Sequence, residues 1–231
     1  MFRIKICGIT NTVDALQAID AGADALGLNF YSRSPRFVAG MQAAEISRQV
    51  RATTAGSRAS LVGVFVNEEE PALRAVHATA QLNAWQLHGD ETAEFLQAIA
   101  AKPDTPPLIR AYRCKENDLV AISRDLFHGQ KLGALPSAVL VDAYAPNAFG
   151  GTGQVVDWHA VRNERGQLFS LPLILAGGLT PENVAEAIRT ARPDAVDVAS
   201  GVESSPGKKD PAKVRDFIAA AKAAFAEIFP Q

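Results

Sequence analysis

Two side chains able to transfer protons stand at the ends of short apolar runs in the sequence. Cys7 follows the β-type residues at 4–6, and Asp142 follows three apolar residues at 139–141. A thiolate can act as a general base or nucleophile, and a carboxylic acid can act as a general acid. Structural roles are open for both, because free cysteine is commonly buried and aspartate commonly caps turns. Brought together by the fold, the two side chains would be suited to moving protons on one substrate.

Two glycine clusters and one arginine indicate that such a substrate is anionic. Gly177-Gly178 and Ser200-Gly201 each follow an apolar run, and glycine lets backbone N–H groups approach an anion closely. We therefore predict a phosphate site formed by Gly177, Gly178, Ser200 and Gly201, with a helix amino terminus after each cluster adding a favourable partial charge. Arg36 lies in the loop at 31–37, where it could hold a carboxylate through two hydrogen bonds or could be solvated surface.

These residues must be positioned by a chain that alternates β-branched runs with amphipathic stretches. The β-type runs are at 2–7, 25–30, 60–66, 84–88, 108–112, 138–142, 171–176 and 195–199. The helical patterns are at 12–21, 43–51, 69–80, 92–101, 116–127, 158–163, 181–191 and 211–229. Thr180 and Pro181 form a helix-start signal, because threonine can cap exposed amides and proline is preset to first-turn φ.

Strict alternation of this kind predicts a parallel sheet covered by helices. Eight such units in 231 residues predict an α/β fold, a single (β/α)₈ TIM barrel over residues 1–231 with eight parallel strands and outer helices. An open Rossmann or flavodoxin-like sheet is the alternative, but no GxGxxG motif joins the first strand to the first helix. In a closed barrel, strands six, seven, eight, one and two are consecutive. Asp142, the glycine clusters, Cys7 and Arg36 should therefore share one arc of the carboxyl-terminal rim, which suits proton relocation on a phosphorylated sugar bearing a carboxylate.

Three further residues belong to this predicted rim. Lys5 shares the strand face of Cys7 and should point into the barrel, where a buried ammonium needs a partner. Asp197 on the adjacent strand eight is the best candidate partner and is also a candidate substrate-binding residue. His88 ends strand four and is either a substrate-binding residue or a structural histidine with satisfied hydrogen bonds.

Six ordered segments form a specific set of motifs. They are Lys5-Ile6-Cys7-Gly8-Ile9-Thr10, Gly63-Val64-Phe65-Val66-Asn67, Gln86-Leu87-His88-Gly89-Asp90, Gly150-Gly151-Thr152-Gly153 with Asp157-Trp158, Ala176-Gly177-Gly178-Leu179-Thr180-Pro181-Glu182-Asn183-Val184, and Val196-Asp197-Val198-Ala199-Ser200-Gly201-Val202-Glu203. In this order they resemble the phosphoribosylanthranilate isomerase family of tryptophan biosynthesis, from residue 2 to about residue 220.

The resemblance implies an Amadori rearrangement of N-(5-phosphoribosyl)anthranilate to an open-chain 1-deoxyribulose product. The family's general base matches Cys7, its general acid matches Asp142, and its arginine that contacts the anthranilate carboxylate matches Arg36. Neither a metal nor an organic cofactor is needed, because side chains supply the proton transfers. Ala143 and Tyr144 follow the acid where family members often carry a hydroxyl residue, which is a departure in loop six.

Composition limits the other classes of function. A formal charge of −2 and a pI near 6.1 predict neither nucleic acid nor an anionic membrane as partner. No apolar run approaches the roughly 18 residues of a membrane span, and the amino terminus lacks a signal-peptide pattern, so we expect a cytoplasmic protein. Two cysteines without a CxxC pair and four histidines argue against a zinc site or a disulfide scaffold.

Two rival functions remain at this stage. One is another phosphate-holding barrel, such as a pentulose-phosphate epimerase or indole-glycerol-phosphate synthase, although such epimerases usually need metal ligands that these histidines do not form. The other is a phosphosugar-binding domain without activity, which would need the glycine loops but not Cys7 and Asp142. The sequence does not distinguish a monomer from a homodimer.

Overall fold

The structure, a computed structural model, describes residues 1–114, 119–143 and 157–229. Within these residues eight parallel strands pair in chain order, and β8 closes on β1 to form a barrel. The strands are β1 (Ile4–Cys7), β2 (Ala25–Asn29), β3 (Ser60–Phe65), β4 (Ala84–Leu87), β5 (Leu108–Cys114), β6 (Ala138–Ala143), β7 (Leu173–Leu175) and β8 (Ala195–Val198). The predicted (β/α)₈ barrel is confirmed.

A helix follows each of these strands and covers the outside of the barrel. The helices are α1 (Thr12–Ala21), α2 (Gly40–Arg51), α3 (Glu70–Ala80), α4 (Ala93–Ala100), α5 (Leu119–Lys131), α6 (Trp158–Asn163), α7 (Val184–Ala191) and α8 (Pro211–Ile228). Side-chain caps define several starts: Asn11 accepts a hydrogen bond from the Asp14 amide, and Asp210 accepts from the amides of Ala212 and Lys213. None of the helices in the described ranges is long and apolar enough to cross a membrane.

Alternation along the strands divides the interior into two layers. On β1, Ile4 and Ile6 pack outward into the large core between the strands and the helices, whereas Lys5 and Cys7 face the barrel axis. Small and branched apolar side chains, among them Val62, form a second cluster. Polar side chains of several strands therefore converge inside the barrel.

The structure differs from the sequence-based expectation in several places. Helix α7 begins at Val184 rather than at 181, because Asn183 shapes a turn before it: its Oδ1 accepts from the Thr180 amide at 2.8 Å, and its Nδ2 donates to the Gly178 carbonyl at 2.9 Å. The start predicted at 116 for the fifth helix lies outside the described residues, and α5 continues to Lys131 rather than ending at 127. An unpredicted antiparallel hairpin, β9 (Glu203–Ser205) with β10 (Lys208–Lys209), lies between β8 and α8.

Candidate active site

One pocket at the carboxyl-terminal end of the barrel contains every residue that the sequence analysis selected as catalytic, substrate-binding or phosphate-binding. Its lining includes Cys7, Arg36, His88, Asp142, Gly177, Gly178, Asp197, Ser200 and Gly201. A second pocket lies at the amino-terminal end, around Met1, Arg3 and Asn83, and contains neither Cys7 nor Asp142. The first pocket is therefore the candidate active site, in agreement with the usual position of active sites in such barrels.

Cys7 is buried at the end of β1, next to Gly27 of β2 in the strand register. A Cβ atom at position 27 would lie 2.6 Å from the Cys7 sulfur, so only glycine leaves room for the thiol. Burial, followed by the negative charge of Asp197, raises the pKa of the Cys7 thiol, whereas Lys5 and Lys209 act to lower it. The net shift is upward, so the thiol is the resting form of Cys7 at neutral pH.

Lys5 is completely buried, and its Nζ lies 3.0 Å from Oδ2 of Asp197, which confirms the predicted pair. Burial acts to lower the pKa of Lys5, but the combined effect of Asp197 and Cys7 is larger and raises it. The pKa of Lys5 therefore lies above the ordinary value, and Lys5 is charged. The Lys5 ammonium also donates to Oε1 of Gln86 at 2.9 Å. The other oxygen of Asp197, Oδ1, is buried without a hydrogen-bond partner among the described residues. This oxygen is available to accept a hydrogen bond from a ligand hydroxyl.

His88 links Gln86 to the candidate acid. The Nδ1 atom of His88 lies 2.9 Å from Nε2 of Gln86, and its Nε2 lies 3.4 Å from Oδ2 of Asp142. Both His88 and Asp142 are buried. The series of contacts Asp197–Lys5–Gln86–His88–Asp142 therefore crosses the barrel interior, and each of these residues except Lys5 lines the pocket.

A buried ion pair holds the loop that follows His88. The Nη1 atom of Arg110, on β5, lies 2.8 Å from Oε2 of Glu91 and also donates to the backbone carbonyl of Gly89. Glu91 in turn accepts from the amides of Gly89 and Asn67. A rigid loop of this kind fixes the backbone from which His88 reaches the pocket.

Arg36 is anchored by Glu203, a residue whose role the sequence analysis missed. Arg36 donates from Nε to Oε1 at 2.8 Å and from Nη2 to Oε2 at 2.7 Å. The arginine is therefore a partly buried, oriented group and not solvated surface. One edge of its guanidinium is bonded to Glu203, so a ligand carboxylate would meet the Nη1 side. Gly8 permits this placement, because a Cβ atom there would lie 2.4 Å from Cδ of Arg36.

Lys209, on the unpredicted hairpin, completes this cluster. Its Nζ lies 2.8 Å from Oε1 of Glu203 and donates to the Ala199 carbonyl at 3.0 Å. Burial acts to raise the pKa of Glu203, but Arg36 and Lys209 outweigh burial and hold the pKa below its ordinary range. The hairpin thus brings a second buried ammonium toward Cys7 and an ionised anchor to Arg36.

The two glycine loops pack directly on each other. Gly177 and Gly178 have φ of 84° and 62°, which favours glycine. A Cβ atom at Gly201 would lie 1.9 Å from the Leu179 carbonyl oxygen, so loop eight can approach loop seven only with glycine there. A helix follows each cluster, but only after an intervening segment: α7 begins at Val184, and after Gly201 the chain forms a three-residue 3₁₀ turn and the β9–β10 hairpin before α8.

The Gly150-Gly151-Thr152-Gly153 motif lies outside the described residues. Across residues 1–114, 119–143 and 157–229, no group of three His, Cys, Asp or Glu side chains is arranged to hold a metal ion.

Sequence reasoning overlooked Gln86, Glu203, Lys209 and Gly27. Gln86 could have been found, because it lies two residues before His88 in the β-type run at 84–88 and so should share its face. Glu203 was part of a recognised motif, but its contact with Arg36 joins positions 167 residues apart.

Known proteins resemble the chain along nearly its whole length. A family model described as N-(5'-phosphoribosyl)anthranilate (PRA) isomerase matches residues 4–220. The N-(5'-phosphoribosyl)anthranilate isomerase of Trichlorobacter lovleyi is 43% identical over 226 residues, which cover 97% of this chain and 100% of that protein. The Pseudomonas fluorescens enzyme of the same name is 45% identical over 222 residues, which cover 95% and 98%.

Solved structures of phosphoribosylanthranilate isomerases are also similar to this chain along nearly its whole length. The crystal structure of phosphoribosyl anthranilate isomerase from Thermotoga maritima matches with a TM-score of 0.81 and 39% identity, covering 96% of this chain and 100% of that one. A structure of such an isomerase in complex with reduced 1-(o-carboxyphenylamino)-1-deoxyribulose 5-phosphate matches with a TM-score of 0.76 and 38% identity, with the same coverage. The chain belongs to the phosphoribosylanthranilate isomerase family.

Proposed function

We propose that this chain catalyses the Amadori rearrangement of N-(5-phosphoribosyl)anthranilate to 1-(2-carboxyphenylamino)-1-deoxyribulose 5-phosphate, with Cys7 as general base and Asp142 as general acid. The observation that carries the proposal is that Cys7 and Asp142 line one pocket together with both glycine loops. Membership of the isomerase family supplies the reaction, and the chemistry of these side chains matches its two proton transfers.

The first step opens the sugar ring. Asp142 donates its proton to the ring oxygen while the C1–O bond breaks, and the nitrogen lone pair forms an iminium at C1. The positive charge makes the C2 proton acidic, and the Cys7 thiolate removes it, so the C2–H electrons form the C1=C2 bond of a neutral enolamine. The Cys7 thiol then returns its proton to C1 while the Asp142 carboxylate takes the C2 hydroxyl proton, which gives the ketone and restores both side chains. The sequence of steps gains and loses no atoms, as an isomerisation requires.

The other candidate residues bind and orient the substrate in this proposal. The Nη1 side of Arg36, which Glu203 orients, binds the anthranilate carboxylate. The free Oδ1 of Asp197 accepts from a sugar hydroxyl, and His88 lies beside the acid. The backbone of the Gly177-Gly178 and Ser200-Gly201 loops binds the phosphate.

The ligand is accordingly a phosphorylated small molecule. Each proton transfer has a side-chain agent, so the proposal requires neither a metal nor an organic cofactor, and it involves neither nucleic acid nor membrane. The cytoplasmic location stays a prediction. The proposed reaction is compatible with a monomer and with a homodimer.

Loss of phosphoribosylanthranilate fluorescence on conversion provides the test. The unaltered chain should remove the fluorescence, whereas Cys7→Ala and Asp142→Asn should bind the substrate and convert it far more slowly. Binding without turnover by the unaltered chain would instead support the phosphosugar-binding alternative. Near-normal turnover by either variant would remove that residue from the proposed mechanism.

A further inference from the structure

Gln86 joins two functional groups that lie on different strands. It is buried on β4, with its Oε1 atom 2.9 Å from Nζ of Lys5 and its Nε2 atom 2.9 Å from Nδ1 of His88. Both contacts are within ordinary hydrogen-bond distance. The amide therefore receives a hydrogen bond at one end and can donate one at the other.

The direction of this hydrogen-bond chain is determined by its first member. A lysine ammonium has three donors and no acceptor. Lys5 is charged, because Asp197, at 3.0 Å, and Cys7 together hold its pKa above the ordinary value, although burial acts to lower it. The carbonyl oxygen of Gln86 must therefore face Lys5, and its NH₂ group must face His88.

The same reasoning continues into the imidazole ring. Because Gln86 presents a donor, Nδ1 of His88 must accept, and the single ring proton of a neutral imidazole must be on Nε2. An imidazolium, or the tautomer with the proton on Nδ1, would place two donors face to face in a buried site. That arrangement would leave buried polar groups without partners, which is costly.

We propose that Gln86 is a positioning residue that holds His88 as a neutral imidazole with its proton on Nε2, directed toward Asp142. The inference rests on the proposed function, in which Asp142 is the general acid. Nε2 is buried, lies 3.4 Å from Oδ2 of Asp142, and makes no hydrogen bond within the described residues. The Nε2–H group can donate a hydrogen bond to the carboxylate that forms when Asp142 has given its proton to the ring oxygen.

A neutral donor suits an acid better than a cation does. An imidazolium beside Asp142 would favour the charged carboxylate before the substrate has reacted. A neutral N–H group supplies a hydrogen bond to the carboxylate without a full positive charge. Gln86 thus selects the form of His88 that assists proton donation.

The charged groups around this end of the barrel do not compete for His88. Lys5 is paired with Asp197, Arg110 with Glu91, and Arg36 with Glu203. Of the charged groups that the structure describes, Asp142 is the one in ion-pair range of the His88 ring.

Nitrogen-15 NMR of the histidine rings tests the proposal on the enzyme without substrate, so the result does not depend on turnover. The chain has four histidines, and the His88 signals are assigned by their loss in His88→Gln. In the unaltered protein near neutral pH, His88 should show a protonated Nε2 and an unprotonated Nδ1. An imidazolium, or a proton on Nδ1, would overturn the proposal.

The variant Gln86→Glu reverses the hydrogen bond. A carboxylate accepts from both sides, so it should move the His88 proton to Nδ1 or make the ring an imidazolium, with a lower kcat and a smaller change in KM. Groups that orient metal-ligating histidines contribute about tenfold to a hundredfold, and we expect a loss of rate of similar size here. Gln97→Glu adds the same charge at an exposed position of α4 and should leave the His88 signals and the rate unchanged.

Each result bears on the proposal separately from the assignment of the acid. Unchanged His88 signals in Gln86→Glu would refute the role of Gln86. If Gln86→Glu does not fold, Gln86→Met serves as the second variant and should give a mixture of the two neutral tautomers; a single unchanged tautomer would count against the proposal. If Asp142→Asn retains full turnover while His88 has the expected tautomer, the acid assignment fails and the tautomer assignment stands.

Discussion

The ionisation of Cys7 can be measured directly through its reaction with an alkylating reagent. The thiolate is the reactive form, and burial, together with Asp197, raises the pKa of Cys7 above its ordinary value. An ordinary cysteine with a pKa of about 8.5 is about 3% thiolate at pH 7, and forming that thiolate costs about 2 kcal/mol. Cys7 should be ionised less than this, because its pKa is raised. The alkylation rate should rise about tenfold per pH unit from pH 7 to 8 and should still be rising at pH 9.

The assay is alkylation with iodoacetamide over a range of pH, with mass spectrometry of the separate peptides that contain Cys7 and Cys114. Bound product should slow reaction at Cys7 more than at Cys114, since Cys7 lines the pocket. Lys209→Met should lower the rate at Cys7 at each pH, because Lys209 acts to lower the pKa of this thiol. A rate that is already constant at pH 7 would show a preformed thiolate and refute the reasoning.

Other variants test the acid, the carboxylate contact and the buried ion pair. Asp142→Asn keeps the shape of the side chain but has no carboxylic acid proton, so kcat should fall by about 10² or more with little change in KM. A fall in kcat of less than about tenfold would contradict the role of Asp142 as general acid. Glu203→Gln should weaken the orientation of Arg36, and Arg36→Ala removes the arginine, so both variants should raise KM more than they lower kcat. Steady-state kinetics that show an unchanged KM would exclude the contact between Arg36 and the substrate carboxylate. Lys5→Met leaves Asp197 buried without its cation and should lower the free energy of unfolding in urea by about 3–5 kcal/mol, and the double variant Lys5→Met with Asp197→Asn should recover part of this loss. If the double variant were no more stable than Lys5→Met, the pair would not be the cause.

Several features of the site follow from local sequence alone. Alternation of β-type runs and helical patterns predicted the barrel, and a barrel places the ends of its strands at one rim, so Cys7 and Asp142 could be expected together. The period of two along a strand put Lys5 on the face of Cys7, and the adjacency of strands one and eight then identified Asp197 as its partner. In each case the period of the pattern along the chain and the closed order of the strands were sufficient to predict which residues lie together.

Tertiary structure alone decided which side chains meet and in which direction their hydrogen bonds run. The contacts of Lys5 with Gln86 and of Arg36 with Glu203 join residues 81 and 167 positions apart. Strand register put Gly27 beside Cys7, and an Asn183 turn delayed the start of α7. Periodicity specifies the face on which a residue lies, but the register between strands and the packing of loops determine its neighbours. The tautomer inferred for His88 depends on those neighbours, because a buried ring adopts the proton position that its hydrogen-bond partners allow.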